Sequence, residues 1–422
     1  MRIQLAWTML TELLVIVSGI VLLKLAASLL GLVGFGEYTL SRRAIALLYL
    51  PLVMGLGIAA PRYIAIVRAG ALERYSESGF VTATLFAGLI PSIIVVLLLN
   101  VSPDVGATLI FGTSTLSHLV RPATIALAGI AVHSMVYAIY RGRSETAIAN
   151  AMQLLNLGVV PLAAFAYSAP SASAVVTVTG SAWLLVSVIA LIHVLVRERG
   201  NWRGASSMKD HLQLLLRFGL PRVPGEFALI GIFAIPALIA VRAHGIAVAG
   251  QFSAALSLLT IAAAAFAPAG QIILPRASAQ AATGDIAGVR RLVLKILGGG
   301  ILLAAVGVAA GELAIPWLVT WYFGPAFAPA IPVFRACLLG AIPYVVYVLM
   351  RNILDALDVK AVNSRNLIIT LILVTVLCLI NSDIMWMSFS LVGSLTVLGL
   401  LTLRDTYLRL GDPVVAAAPV RA

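Results

Sequence analysis

Three basic side chains, Lys24, Arg121 and Arg335, and two carboxylates, Glu12 and Glu226, lie within otherwise apolar stretches of this 422-residue chain. A guanidinium or ammonium shielded from water binds phosphate or pyrophosphate oxygens, Arg through its planar fork. A carboxylate in the same surroundings can carry a proton or a sodium ion. Each group also has a plainer use. Lys24 could pair with a helix neighbour, and Arg121 and Arg335 could snorkel to a nearby surface. Glu12 and Glu226 could salt-bridge a basic residue. Glu312 reads as interfacial, and His133 reads as a hydrogen-bonded structural histidine rather than a proton relay. Three interior cations against two carboxylates make the interior more basic than acidic, which suits an anion better than a cationic drug.

Composition says what must position these groups. Apolar residues make up 61% of the chain and charged residues 10%, with a mean hydropathy of +1.08. Too few charges exist to cover a water-facing surface, so a soluble enzyme and a disordered scaffold are excluded. The fold class is therefore all-α: a polytopic membrane protein of twelve helices. The spans lie near 8–33, 44–67, 79–100, 119–140, 148–168 and 174–196. A second set lies near 219–241, 246–274, 292–315, 328–350, 366–381 and 384–403. Cys337 and Cys378 fall inside these runs, so no disulfide framework is read.

Basic residues orient the bundle. With both termini on the cytoplasmic side, 22 of the 28 Lys and Arg fall on inner segments, among them Arg68, Arg74, Arg141, Arg143, Arg197 and Arg217. The net charge of +12 follows from this bias and from attraction to anionic headgroups, not from nucleic-acid binding. Arg42, Arg43 and Arg242 are left at the outer mouth. The chain then divides into a first six-helix lobe (1–197), an inner linker (198–218), a second lobe (219–404) and a tail (405–422). Residues 208–217 are amphipathic and suited to a membrane surface.

The halves repeat at an offset of 214 residues. Gly36-Glu37-Tyr38-Thr39 falls on Gly250-Gln251-Phe252-Ser253, and Pro61-Arg62 falls on Pro275-Arg276. Glu12 falls on Glu226, and Arg121 on Arg335. An even number of spans per half makes the repeat parallel, with two pseudo-symmetric lobes and a cleft between them. Proline and glycine interrupt several spans: Pro51, Gly55, Pro224, Gly225, Pro236, Pro268, Gly270, Pro332 and Pro343. Such breaks suit helices that bend during alternating access, and ordinary helix packing also accommodates them. No metal cluster, phosphate-binding Gly-Lys-Ser/Thr loop or nucleophile elbow is present, so no enzyme, ATP hydrolysis or cofactor is expected.

Four segments carry a family resemblance. FGEYTLSRRAIALLYLPLVMGLGIAAPRYIA (35–65), FGLPRVPGEFALIGIFAIPALIA (218–240), GQFSAALSLLT (250–260) and WYFGPAFAPAIPVFRACLLGAIPYVVYVLMRNILDAL (321–357) resemble bacterial polysaccharide flippases. These belong to the multidrug/oligosaccharidyl-lipid/polysaccharide exporter superfamily. The resemblance implies a V-shaped, two-lobed transporter of the bacterial inner membrane. It would move undecaprenyl-pyrophosphate-linked glycan to the outer leaflet by alternating access. Its cavity would be lined by spans 1, 2, 7 and 8, with spans 4 and 10, so that Lys24, Arg121 and Arg335 meet the pyrophosphate. Membrane lipids, a polysaccharide polymerase with export machinery, and a coupling proton or sodium ion are the implied partners. A drug antiporter of the same superfamily and a membrane polymerase or ligase stand as alternatives.

Overall fold

The computed structural model describes residues 2–70, 74–198, 208–266, 285–357 and 362–410, together with Ile273, Ala277 and Gln280. The repeat partners Pro275 and Arg276, and the breakers Pro268 and Gly270, lie outside them. Ten described stretches are long and apolar enough to cross a membrane. Two of these, Ala6–Val53 and Met208–Ala263, each contain a break at a glycine and so supply two crossings, giving twelve. The chain forms two compact units, Met1–Val223 and Pro224–Ala422.

The first unit runs through α1 (Arg2–Val53), α2 (Leu56–Arg68), α3 (Glu77–Val101), α4 (Pro103–Phe111), α5 (Val120–Gly142), α6 (Thr146–Leu154), α7 (Val160–Tyr167), α8 (Ala172–Glu198) and α9 (Met208–Gly219). Its centre is the α5–α8 pair, which small residues allow to approach closely. A methyl on Gly129 would meet the Gly180 carbonyl at 2.9 Å, and one on Gly180 would meet the Ala126 nitrogen at 2.6 Å. The second unit comprises α10 (Val223–Ala264), α11 (Ile286–Leu318), α12 (Ile331–Leu339), α13 (Ala341–Leu357), α14 (Val362–Ile380) and α15 (Ile384–Leu410). Here α13 packs on α15, with Gly399 against the Pro343 carbonyl. In each unit, then, the fourth span is clasped by the sixth.

Backbone conformation supports the internal repeat independently of side-chain identity. Gly31 breaks α1 with φ 66° and ψ −173°, and Gly245 breaks α10 with φ 79° and ψ 176°. The two are 214 residues apart and share a conformation essentially open only to glycine. The register slips further along the chain. Gly112 (φ 80°) and Gly324 (φ 102°) stand before the fourth spans at an offset of 212. Arg121 is accordingly the second residue of α5, whereas Arg335 is the fifth of α12.

Helix α9 is amphipathic as its sequence requires, but protein rather than lipid covers its apolar face. His211 and Leu215 are fully buried, and the helix packs on α2 and α3. The Ser76 N–H donates to His211 Nε2 at 3.2 Å, and the imidazole meets Phe80 edge-on. At its end, Gly219 touches the break in span 2, where a methyl on Gly55 (φ 72°) would lie 2.5 Å from the Gly219 carbonyl oxygen.

The inner basic set is likewise more than a topology signal. Arg143 is buried at the end of α5, where Nε donates to Glu77 Oε1 at 2.6 Å and Nη2 to Glu198 Oε1. In the second unit Arg365 Nη2 donates to Asp405 at 2.6 Å. Both cysteines are free and buried. Exposed aromatics stand near helix ends: Trp7, Tyr167, Trp317, Trp321, Trp386 and Tyr407 are all accessible, as expected of interfacial belts.

Candidate functional site

A buried polar cluster lies within the first unit, beside a proline. Pro161 is the second residue of α7 and has no N–H to donate. The preceding turn, Leu155–Val159, widens to a π-helix in which the Val160 N–H reaches back to the Leu155 carbonyl. The Asn156 carbonyl thereby loses its helical partner. The indole Nε1–H of Trp183, from α8, donates to it instead. Single-turn π-bulges of this kind recur at functional sites.

The bulge carries the Asn156 side chain to the centre of the unit, fully buried. Its Nδ2 donates to His133 Nδ1 at 2.9 Å and to Ser187 Oγ at 3.1 Å. His133 Nε2 in turn lies 3.2 Å from Gln153 Oε1. These contacts assign one tautomer: Nδ1 accepts, and Nε2 carries the proton and donates. His133 therefore sits in the network as a neutral imidazole, in keeping with its expected structural role. Asn156 Oδ1 has no partner among the described residues, which leaves one acceptor open in an otherwise closed ladder.

The ladder continues toward α1. Asn150, one turn before Gln153, donates to Thr8 Oγ1 at 3.0 Å. Tyr137, one turn after His133, stacks on it at 5.7 Å, and the Arg141 guanidinium stands 5.7 Å from the Tyr137 ring centre. Glu12 follows Thr8 by four residues on α1 and so lies on the same helix face as the Thr8–Asn150 contact. One carboxylate thus borders a set of uncharged donors and acceptors from α1, α5, α6 and α8. Such a set can pass or hold a proton or a small cation without placing an unpaired charge in hydrocarbon.

Of the five residues singled out from the sequence, Glu12, Lys24 and Arg121 belong to the first unit and Glu226 and Arg335 to the second. Lys24 is half-buried on the first helix, between the buried pairs Leu22-Leu23 and Ala26-Ala27. It stands about 18 Å along the helix from Glu12 at about 1.5 Å per residue. Arg121 is exposed at the start of α5, about 24 Å from the level of Tyr137 by the same rise. In the second unit Arg335 is half-exposed, and its Nε lies 3.7 Å from Glu312 Oε2, within ion-pair distance. Glu312 thus has Arg335 as a partner. Glu226 lies in the first turn of α10, where the helix dipole favours a carboxylate.

Gln153, Asn156, Trp183 and Ser187 escape a reading that looks for charges, because uncharged polar residues in a span cost little individually. Their available signals are the Pro161 break and the run of Asn150, Gln153 and Asn156 at three-residue spacing.

No family model matches the chain, and no curated protein matches it in sequence. Solved structures match it in fold. An inward-facing multidrug resistance MATE family transporter of the MOP superfamily is 15% identical over 94% of this chain and 96% of its own, with a TM-score of 0.76. An outward-facing MATE family transporter of the MOP superfamily is 14% identical over 94% and 95%, with a TM-score of 0.60. A MOP superfamily transporter from Pyrococcus furiosus, described as having a binding pocket of reversed polarity, is 13% identical over 94% and 95%, with a TM-score of 0.62. The chain is a multi-pass, all-α membrane protein with the two-unit fold of these transporters. That fold is known in inward-facing and outward-facing forms.

Proposed function

We propose that this protein is an ion-coupled, alternating-access exporter of amphiphilic, cationic substrates, with its coupling site in the first unit. The observation that carries this reading is Glu12, one helical turn beyond Thr8 on α1, where the Thr8–Asn150 hydrogen bond meets the helix that also bears the Gln153–His133–Asn156–Ser187 ladder. Protonation of Glu12, or a cation held there, would change the charge of a site that the ladder keeps neutral. Arg335, one of the three cations that argued for an anionic cargo, already has Glu312 as an ion-pair partner. The fold is shared with an inward-facing multidrug resistance MATE family transporter, which supports a drug cargo.

A second reading, the flipping of polyprenyl-pyrophosphate-linked oligosaccharide, is favoured by Lys24 inside the first span and by the four flippase-like segments. Lys24 and Arg121 would then meet the pyrophosphate, and a polysaccharide polymerase would take the product. In both readings the basic-rich ends face the cytoplasm of a bacterial inner membrane.

The test uses the purified protein in liposomes carrying an imposed proton or sodium gradient. Gradient-driven movement of a cationic dye, abolished by Glu12→Gln, is the expected result. No dye movement by wild type, together with inner-leaflet accumulation of lipid-linked glycan in cells lacking the protein and its relief by wild type but not by Lys24→Ala, would replace the antiport reading with flipping.

A further inference from the structure

Where α3 begins and α5 and α8 end, the first unit encloses a cavity of about 500 Å³ bordered by Arg68, Ser76, Glu77, Arg143, Arg197 and Glu198. That volume lies within the range of small-molecule sites. Much of its charge is internally satisfied. Glu77 accepts from Arg143 Nε at 2.6 Å and from Arg68 Nη1 at 3.1 Å, and Arg197 reaches outward to Glu145 at 2.8 and 2.9 Å.

Two atoms are not satisfied. Arg143 Nη1 and Glu198 Oε2 have no partner among the described residues, although their side chains are only 3% and 5% exposed. A buried guanidinium N–H requires an acceptor, and a buried carboxylate oxygen requires a donor. One small group supplies both if it carries a phosphate and a primary ammonium a few bonds apart. With three arginines and two glutamates on its wall, the cavity matches such a zwitterion in both signs.

We propose that this cavity binds a phosphate–primary-ammonium head group, its phosphate toward Arg143, Arg68 and Arg197 and its ammonium toward Glu198. A membrane lipid is the nearer source. Leu185, Ile189, Ile192 and Val196 are exposed along one face of α8 at helical spacing and lead to Arg197, giving an acyl chain a path beside the cavity. A free phosphoamine has the same head-group chemistry. The proposal is independent of what the protein transports.

The test is native mass spectrometry of the full-length protein released from nanodiscs holding equal parts of phosphatidylethanolamine, phosphatidylcholine and phosphatidylglycerol. Choline has no N–H for Glu198, and glycerol has no cation. Losing one charge-assisted hydrogen bond predicts roughly ten-fold weaker retention of both relative to phosphatidylethanolamine. Glu198→Gln should remove most of that preference, whereas Arg68→Gln and Arg197→Gln, at the accessible rim, face the phosphate that all three lipids share and should weaken retention of all three alike. If Glu198→Gln does not fold, the two rim variants carry the test through that general loss. Displacement of the lipid by soluble glycerophosphoethanolamine would identify a site for the head group from either source, and failure to displace it would identify a lipid site. Equal retention of all three lipids, stronger retention of phosphatidylglycerol, or unchanged retention in the rim variants would overturn the proposal.

Discussion

Replacing Gly31 and Gly245 by alanine isolates the backbone contribution to the internal repeat. At both positions an added methyl would meet nothing within 4 Å, so steric crowding contributes no cost. The cost comes from the dihedrals, φ 66° with ψ −173° and φ 79° with ψ 176°, a region essentially closed to residues with a Cβ. Holding a residue there costs about 1–3 kcal/mol. For a unit of roughly 200 residues that corresponds to a fall of about 2–12 °C in melting temperature. Gly299 is the control. Its methyl would also meet nothing within 4 Å, but it lies in the regular helix α11, where alanine is favoured by about 0.5–1 kcal/mol. Melting of the three variants in one detergent should therefore show two falls of similar size and one small rise. A shift of the same sign for Gly31→Ala and Gly299→Ala would refute the argument, since open space is common to both and only φ distinguishes them.

Three further outcomes follow from named contacts. Trp183→Phe leaves the Asn156 carbonyl without a donor and should cost about 1–3 kcal/mol, read as a lower melting temperature, while Trp386→Phe, at an exposed indole, should cost less. Glu12→Gln should abolish ion-driven transport at equal expression, whereas Glu226→Gln, in the first turn of α10 of the second unit, should leave the transport rate intact. Equal loss in both would place the coupling group elsewhere. Arg143→Gln leaves Glu77 and Glu198 without their buried cation and should destabilise the protein by about 3–5 kcal/mol, measured as lost folded yield. Replacing Arg143 by Met and Glu198 by Leu together should recover much of that loss.

Charge and apolar length were sufficient to read the class. A chain with 61% apolar residues, in runs about twenty residues long with most charges at the joints, crosses a membrane as helices, because backbone groups in hydrocarbon must bond internally and runs of that length suit helices rather than barrel strands. The repeat was legible too, at Glu12 and Glu226 and in the Gly36 and Gly250 segments, and the conformations of Gly31 and Gly245 bear it out at the same offset.

The candidate site was legible only in part. Glu12 and His133 stood out as polar groups in apolar runs, but their surroundings depend on which helix faces pack, and that is a matter of three-dimensional contact. Pro161 is visible in the sequence; that its missing N–H frees the Asn156 carbonyl, and that Trp183 from another helix answers it, is not. The pairing of Arg335 with Glu312 and the burial of Arg143 between Glu77 and Glu198 are of the same kind. Sequence spacing determines which residues share a helix and how deep each lies, because the rise per residue is constant. Which charges are cancelled and which polar atoms remain open is decided by neighbours far along the chain, and only the packed helices bring those together.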